Sequence, residues 1–135
     1  MQTTLTAMNA SRKLAAIGSM LGVLVSASLA AAPSASADTG NGCAYPRVCF
    51  YLTNTDWNNR TPTAAYQDVT TTYQNLSSRA AGSVVVFNSR NDDRAYLRAS
   101  VSGATRYYCL PPNGLISFAS GIVVNGIRID SAATC

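Results

Sequence analysis

Residues 94–101 read RAYLRASV, and the character of the side chains changes at every step. Ala95, Leu97, Ala99 and Val101 fall on one parity, and Arg94, Tyr96, Arg98 and Ser100 on the other. Successive side chains of a strand point to opposite faces, so this period of two predicts a strand with one face buried and one in water. Its neighbours have the same grain. Upstream, NSRNDD (residues 88–93) is turn chemistry, preceded by the continuous apolar run SVVVFN (83–88), which predicts a central strand covered on both faces. Downstream, Ser102-Gly103-Ala104 turns the chain into RYYCL (106–110), and Pro111-Pro112-Asn113-Gly114 is a second strong turn signal. Residues 115–119 and 122–130 follow, the latter with Ile127 and Ile129 inward and Arg128 and Asp130 outward, and with Asn125-Gly126 as either a tight turn or a bulge.

Toward the N-terminus, VCFYLT (48–53) predicts a strand, and 54–62 is polar around the sole Trp57. Residues 64–72 predict a second strand and 76–82 a loop or short helix. Six to eight short strands divided by turns, with no long helix, define an all-β domain, expected as a small Greek-key sandwich. A short internal echo, Phe50-Tyr51-Leu52 against Ala95-Tyr96-Leu97, divides it into two motifs of similar length.

The chain has 135 residues, a net charge of +4 and 47% hydrophobic residues, but these figures average two unlike segments. Arg12 and Lys13 precede an apolar small-residue run, LAAIGSMLGVLVSASLAAA (14–32), and then Ala35-Ser36-Ala37. Basic, apolar, then A-x-A is the order of a secretory signal peptide, so residues 1–37 are expected to be removed and the product secreted, extracellular and free of membrane. The run is of borderline length for a membrane span, but Gly18, Gly22 and several serines dilute it and the cleavage motif closes it. Residues 38–135 form the expected single domain, with eight arginines against six aspartates and no His, Glu, Lys or Met.

Those absences narrow the chemistry. Acid–base and nucleophilic catalysis mostly use His, Lys or a tuned carboxylate, and Ser-His-Asp, Cys-His and the usual zinc sites all need His. Only an Asp pair could substitute, and Asp92-Asp93, being adjacent, point to opposite faces of a strand or to water in a turn. The domain is therefore expected not to be an enzyme, with no catalytic residues and no cofactor. Four cysteines in an exported chain read as two disulfides with three possible connectivities. The favoured pairing is Cys43 with Cys49, a tight loop, and Cys109 with Cys135, which closes about 26 residues and adds about 3 kcal/mol in the chain-entropy model.

Two surface readings come from the remaining residues. Tyr66, Tyr73, Tyr107, Tyr108 and Trp57 would supply a sugar or cell-wall platform, although Tyr107 and Tyr108 alternate faces and one of them must fill the core. Arg90, Arg94 and Arg98 gather near one turn, with Asp92 and Asp93 among them, and read as a solvated, self-compensated surface. A net charge of +2 gives little field for nucleic acid.

The segment Cys43-Ala44-Tyr45-Pro46-Arg47-Val48-Cys49-Phe50-Tyr51 resembles the opening of the secreted actinobacterial proteins of peptidase inhibitor family I36, in which two Cys close a short loop before an apolar strand with Tyr two residues on. Asp56-Trp57-Asn58-Asn59 is similar to the family's next motif, with Asn where Gly would stand, and residues 83–88 resemble the closing strand of its first repeat. The resemblance implies a fold of two βγ-crystallin-like Greek-key motifs that inhibits an extracellular thermolysin-like metalloprotease with a rigid, substrate-like loop; the domain is expected to be a monomer. Carried over residue by residue, that loop is Cys109 and Leu110. The family's further Cys a few residues on is replaced here by Pro and Asn, and Pro111 offers no backbone donor. Calcium sites of crystallin-like motifs need a Ser/Thr-Ser pair two residues after the paired Asn/Asp, and segments 58–63 and 92–97 fail at those hydroxyl positions, so no metal site is expected. The rival class is a non-inhibitory extracellular binding or structural domain associated with cell wall or carbohydrate.

Overall fold

The computed structural model describes residues 39–135; the expected signal segment, 1–37, lies outside the described residues. Strands β1 (Val48–Tyr51), β2 (Ala64–Tyr66), β3 (Gln74–Asn75) and β4 (Val85–Asn88) come from the first half, with one short helix, α1 (Asn54–Asn58), after β1. Strands β5 (Arg94–Val101), β6 (Ala104–Leu110), β7 (Leu115–Ser117) and β8 (Ile122–Asp130) come from the second. They form two four-stranded antiparallel sheets, ordered β2-β1-β4-β7 and β3-β8-β5-β6. Each half therefore lends its third strand to the other half's sheet.

One apolar core joins the sheets. Val48, Phe50 and Val86 from the first meet Ala95, Leu97, Ala99, Leu110, Val124, Ile127 and Ile129 from the second, all of them buried. The alternation of residues 94–101 is realised up to Ser100, with Ala95, Leu97 and Ala99 fully buried, while Val101 at the strand end is only half-buried. β4 is central in its sheet and covered on both faces: Val86 enters the main core, while Val85 joins Cys43, Cys49 and Tyr51 in a second cluster with Phe87 and Trp57. Tyr51 and Trp57 meet edge to face at 5.0 Å, so the sole Trp serves packing.

Several boundaries move for local reasons. β1 stops at Tyr51 because Thr53 and Asp56 make a capping box: Asp56 N–H donates to Thr53 Oγ1 at 3.1 Å, and Thr53 N–H to Asp56 Oδ2 at 2.9 Å. That reciprocal pair starts α1 inside the stretch expected to be polar loop. The second strand covers only Ala64–Tyr66 of the expected 64–72, and residues 76–82 make turns without a helix. Asn125-Gly126 is a bulge. Arg98 pairs with Gly126 and Ala99 with Val124, leaving Asn125 as the extra residue.

Arg90 and Asp93, expected in solvent, are instead both 8% exposed. Arg90 Nε donates to Asp93 Oδ2 at 2.7 Å with Nη2 on the same oxygen, and Nη1 donates to the carbonyls of Pro46 at 2.7 Å and Gln67 at 3.0 Å. A buried guanidinium is tolerable only when so fully paired. The pair ties the 88–93 turn to the Cys43–Cys49 loop. Buried Asn88 completes the junction, with Nδ2 donating to the carbonyls of Asp93, Leu110 and Pro111 at 2.9, 3.3 and 3.1 Å. Both favoured disulfides are present, Cys43–Cys49 and Cys109–Cys135, each with 5.8 Å between Cα atoms. Two disulfides point to an oxidising, extracellular-like environment. No helix among the described residues is long and apolar enough to cross a membrane.

Candidate binding face

The side of the second sheet turned away from the core carries an array of aromatic and charged side chains. Strand parity puts Arg94, Tyr96 and Arg98 of β5 outward, and the register sets Arg128 of β8 against Tyr96 on one side and Cys109 of β6 on the other. The next row runs from Asn75 of β3 through Gly126 and Arg98 to Tyr107. Tyr73, just before β3, lies over this row with its ring 5.4 Å from that of Tyr107.

Guanidinium groups and rings interleave across it. Arg94 lies 4.9 Å and Arg128 4.7 Å from the centre of the Tyr96 ring, while Arg98 and Arg128 each lie 5.7 Å from that of Tyr73. Cation–π attraction favours this stacking and flattens long side chains against the sheet. The bulge makes room for it. A Cβ on Gly126 would come within 2.9 Å of the Arg98 guanidinium carbon, so Gly there lets Arg98 lie across the strand without shifting. Arg98 Nε donates to Asn125 Oδ1 at 2.8 Å, and Nη2 to Asn75 Oδ1 at 2.7 Å.

Asp130 is the carboxylate of the array, receiving Arg94 Nε at 2.8 Å and Arg128 Nη2 at 3.3 Å. Partial burial opposes its ionisation, but the Arg94 hydrogen bond, the Ala132 N–H and the two arginine charges outweigh it and hold the carboxyl below its ordinary value. The hydrogen bond to Asp130 raises the Arg94 guanidinium in turn, against a smaller desolvation effect. Burial pushes the Tyr73 phenol upward, with Tyr107 and Tyr96 adding to the shift and Arg128 and Arg98 opposing it. Despite this packing Tyr107 keeps 61% of its surface exposed.

The tyrosines and tryptophan singled out in the sequence divide between the face and the core, Tyr107 and Tyr108 by their parity on β6. Tyr73 and Tyr107 meet on the face; Tyr66 packs edge-on against Phe50 and Tyr108 against Phe118 at the core, and Trp57 lies in the second cluster. Tyr96 and Arg128 complete the array but were legible only as outward residues, because their meeting depends on β5 pairing with β8. The structure places Cys109 and Leu110 in β6 rather than in a protruding loop. Cys109 is held in its disulfide, and Leu110, opposite Ala95, is 1% exposed within the core. The other disulfide-closed loop, 43–49, turns its carbonyls inward: Ala44 and Arg47 accept from Ser89 Oγ at 3.1 and 2.8 Å, and Pro46 accepts from Arg90.

Comparison with known proteins gave no match to a family model, to a curated protein or to a solved structure.

Proposed function

We propose that this chain is a secreted, non-catalytic binding domain, built from two Greek-key units of the βγ-crystallin kind, that holds a polysaccharide on the outer face of its second sheet. The mutual exchange of third strands between halves supports the Greek-key reading, and the two disulfides support the extracellular one. One observation carries the function: arginines stack on Tyr73 and Tyr96, and the exposed Tyr107 meets the Tyr73 ring beside them, on a face that serves no core. The apolar face of a sugar ring packs on an aromatic ring, while its hydroxyls find guanidinium and phenol partners at the ring edges. Side chains already fixed by stacking lose little entropy when the ligand arrives.

The protease-inhibitor reading implied by the family resemblance has less support. A substrate-like inhibitor presents a backbone carbonyl and an adjacent side chain to the protease. Here Leu110 is in the core, and the 43–49 loop commits the carbonyls of Ala44, Pro46 and Arg47 to Ser89 and Arg90. Retention of the purified domain on insoluble cell-wall and plant polysaccharides, compared with its Tyr107→Ala and Tyr73→Ala variants, tests the proposal. Retention lost about tenfold with unchanged thermal unfolding is the expected result. Stoichiometric inhibition of a thermolysin-type protease, with no retention on any glycan, would replace the binding reading by the inhibitory one.

A further inference from the structure

The charges of the face select among glycans, and we infer that its ligand is an acidic polysaccharide whose carboxylate, phosphate or sulfate groups are taken by Arg128 and Arg98. This inference rests on the binding-face reading above and specifies its ligand. Among the side chains of the described residues, three guanidinium groups share the face with one carboxylate, Asp130. Arg94 holds that carboxylate at 2.8 Å and also donates from Nη1 to the Thr134 carbonyl at 2.6 Å, so its charge is answered. Arg128 reaches Asp130 only at 3.3 Å. Its Nε is buried, with no hydrogen-bond partner among the described residues. Arg98 is bonded only to neutral oxygens, those of Asn125 and Asn75.

Two positive charges are thus left over, Arg128 stacked over the Tyr73 and Tyr96 rings and Arg98 over Tyr73, both half-buried. A buried donor without an acceptor, as Arg128 Nε is among the described residues, is unfavourable until one arrives, and the flat guanidinium fork suits a carboxylate or a phosphate better than a hydroxyl. Because Tyr73 and Tyr96 stack directly on these arginines, a ligand must place its anionic group within one ring's width of the part that stacks. A chain of sugar rings with a charge on each or every second ring meets that spacing. A bare anion would use the arginines and leave the exposed Tyr107 idle.

The test is calorimetric titration of the domain with polygalacturonate, dextran sulfate, neutral dextran and single-stranded DNA, in low and then high salt. Both acidic glycans are expected to bind at least about tenfold more tightly than dextran, roughly the scale of one charge-assisted hydrogen-bonded pair. Arg128→Gln should remove most of that preference without lowering the thermal midpoint appreciably, and Arg98→Gln should remove it while lowering the midpoint by a few degrees, because it also gives up the bonds to Asn125 and Asn75. High salt should erase the preference. Carboxylate and sulfate sources are told apart by which of the two acidic glycans responds more to Arg128→Gln. Equal binding of dextran and the acidic glycans, still lost in Tyr107→Ala, would overturn the charge inference and leave the binding face standing. Binding to no glycan would overturn both, and tighter binding of DNA than of polygalacturonate would overturn the saccharide assignment.

Discussion

Tyr51 shows how one buried side chain ties the second apolar cluster to the chain around it. Its ring is fully buried, and its hydroxyl donates to the Asn41 carbonyl at 2.9 Å. Burial pushes the phenol from its ordinary 10 to about 12, despite the opposing hydrogen bond at Asn41. A folded value above the unfolded one means the contribution is complete below pH 10 and disappears between pH 10 and about 12. A shift of that size corresponds to about 3 kcal/mol of alkaline destabilisation. Urea unfolding across that range, beside an absorbance titration of phenolate, should show the loss, and Tyr51→Phe should flatten it while costing about 1 kcal/mol near neutrality. Asp130 has the opposite sign. Its depressed carboxyl contributes fully above the ordinary aspartate range, and the contribution fades as pH falls through the lower, folded value. Asp130→Asn should therefore weaken the acid dependence of stability. A variant whose stability falls toward acid as steeply as the parent's would show that other carboxylates govern it.

At the scale of elements, what was legible in the sequence is what burial on one side imprints. Arg94–Val101 announced β5 because one face is core and the other is not, and Val85–Asn88 announced a central strand because both faces are covered. Gln74–Asn75 left no trace, since two residues carry no period, and α1 was set by a capping box across four residues rather than by an apolar stripe. Half of the candidate face was legible in the same way. Arg94, Tyr96, Arg98, Arg128 and Asp130 read as outward, but their rows depend on strand pairing and on the bulge, which alternation within a strand cannot report. Leu110 shows the converse, for resemblance made it a presented residue while its parity on β6 puts it inside. Leu110→Ala should cost about 2–5 kcal/mol in a urea titration, as core truncations do. A change within about 0.5 kcal/mol would mean that residue 110 behaves as surface. The bulge gives a second check. Gly126→Ala should push Arg98 off Asn125, costing about 1 kcal/mol and weakening glycan retention together.

For the whole molecule, the decisive feature is that neither sheet belongs to one half of the chain. β7 is hydrogen-bonded only to β4 of the first half, and β3 only to β8 of the second. Withdrawing either half strips an edge strand from the other half's sheet and opens the shared core, where Phe50 and Val86 meet Leu97 and Ile127. Arg90 adds a polar tie, since its guanidinium links the turn that joins the halves to the carbonyls of Pro46 and Gln67. Separate stabilities for two repeats are the natural expectation when each buries its own core, but exchange of strands removes that independence. The two halves should unfold as one unit. Far-ultraviolet and near-ultraviolet dichroism should give coincident thermal transitions, with the calorimetric enthalpy equal to the van't Hoff value. Phe50→Ala in the first half and Ile127→Ala in the second should each move that single transition down, keeping its shape. A variant in which one half melts early while the other keeps its original midpoint would show that the exchanged strands only decorate two independent cores, and with that the case for a single rigid face presented by the second sheet would fail.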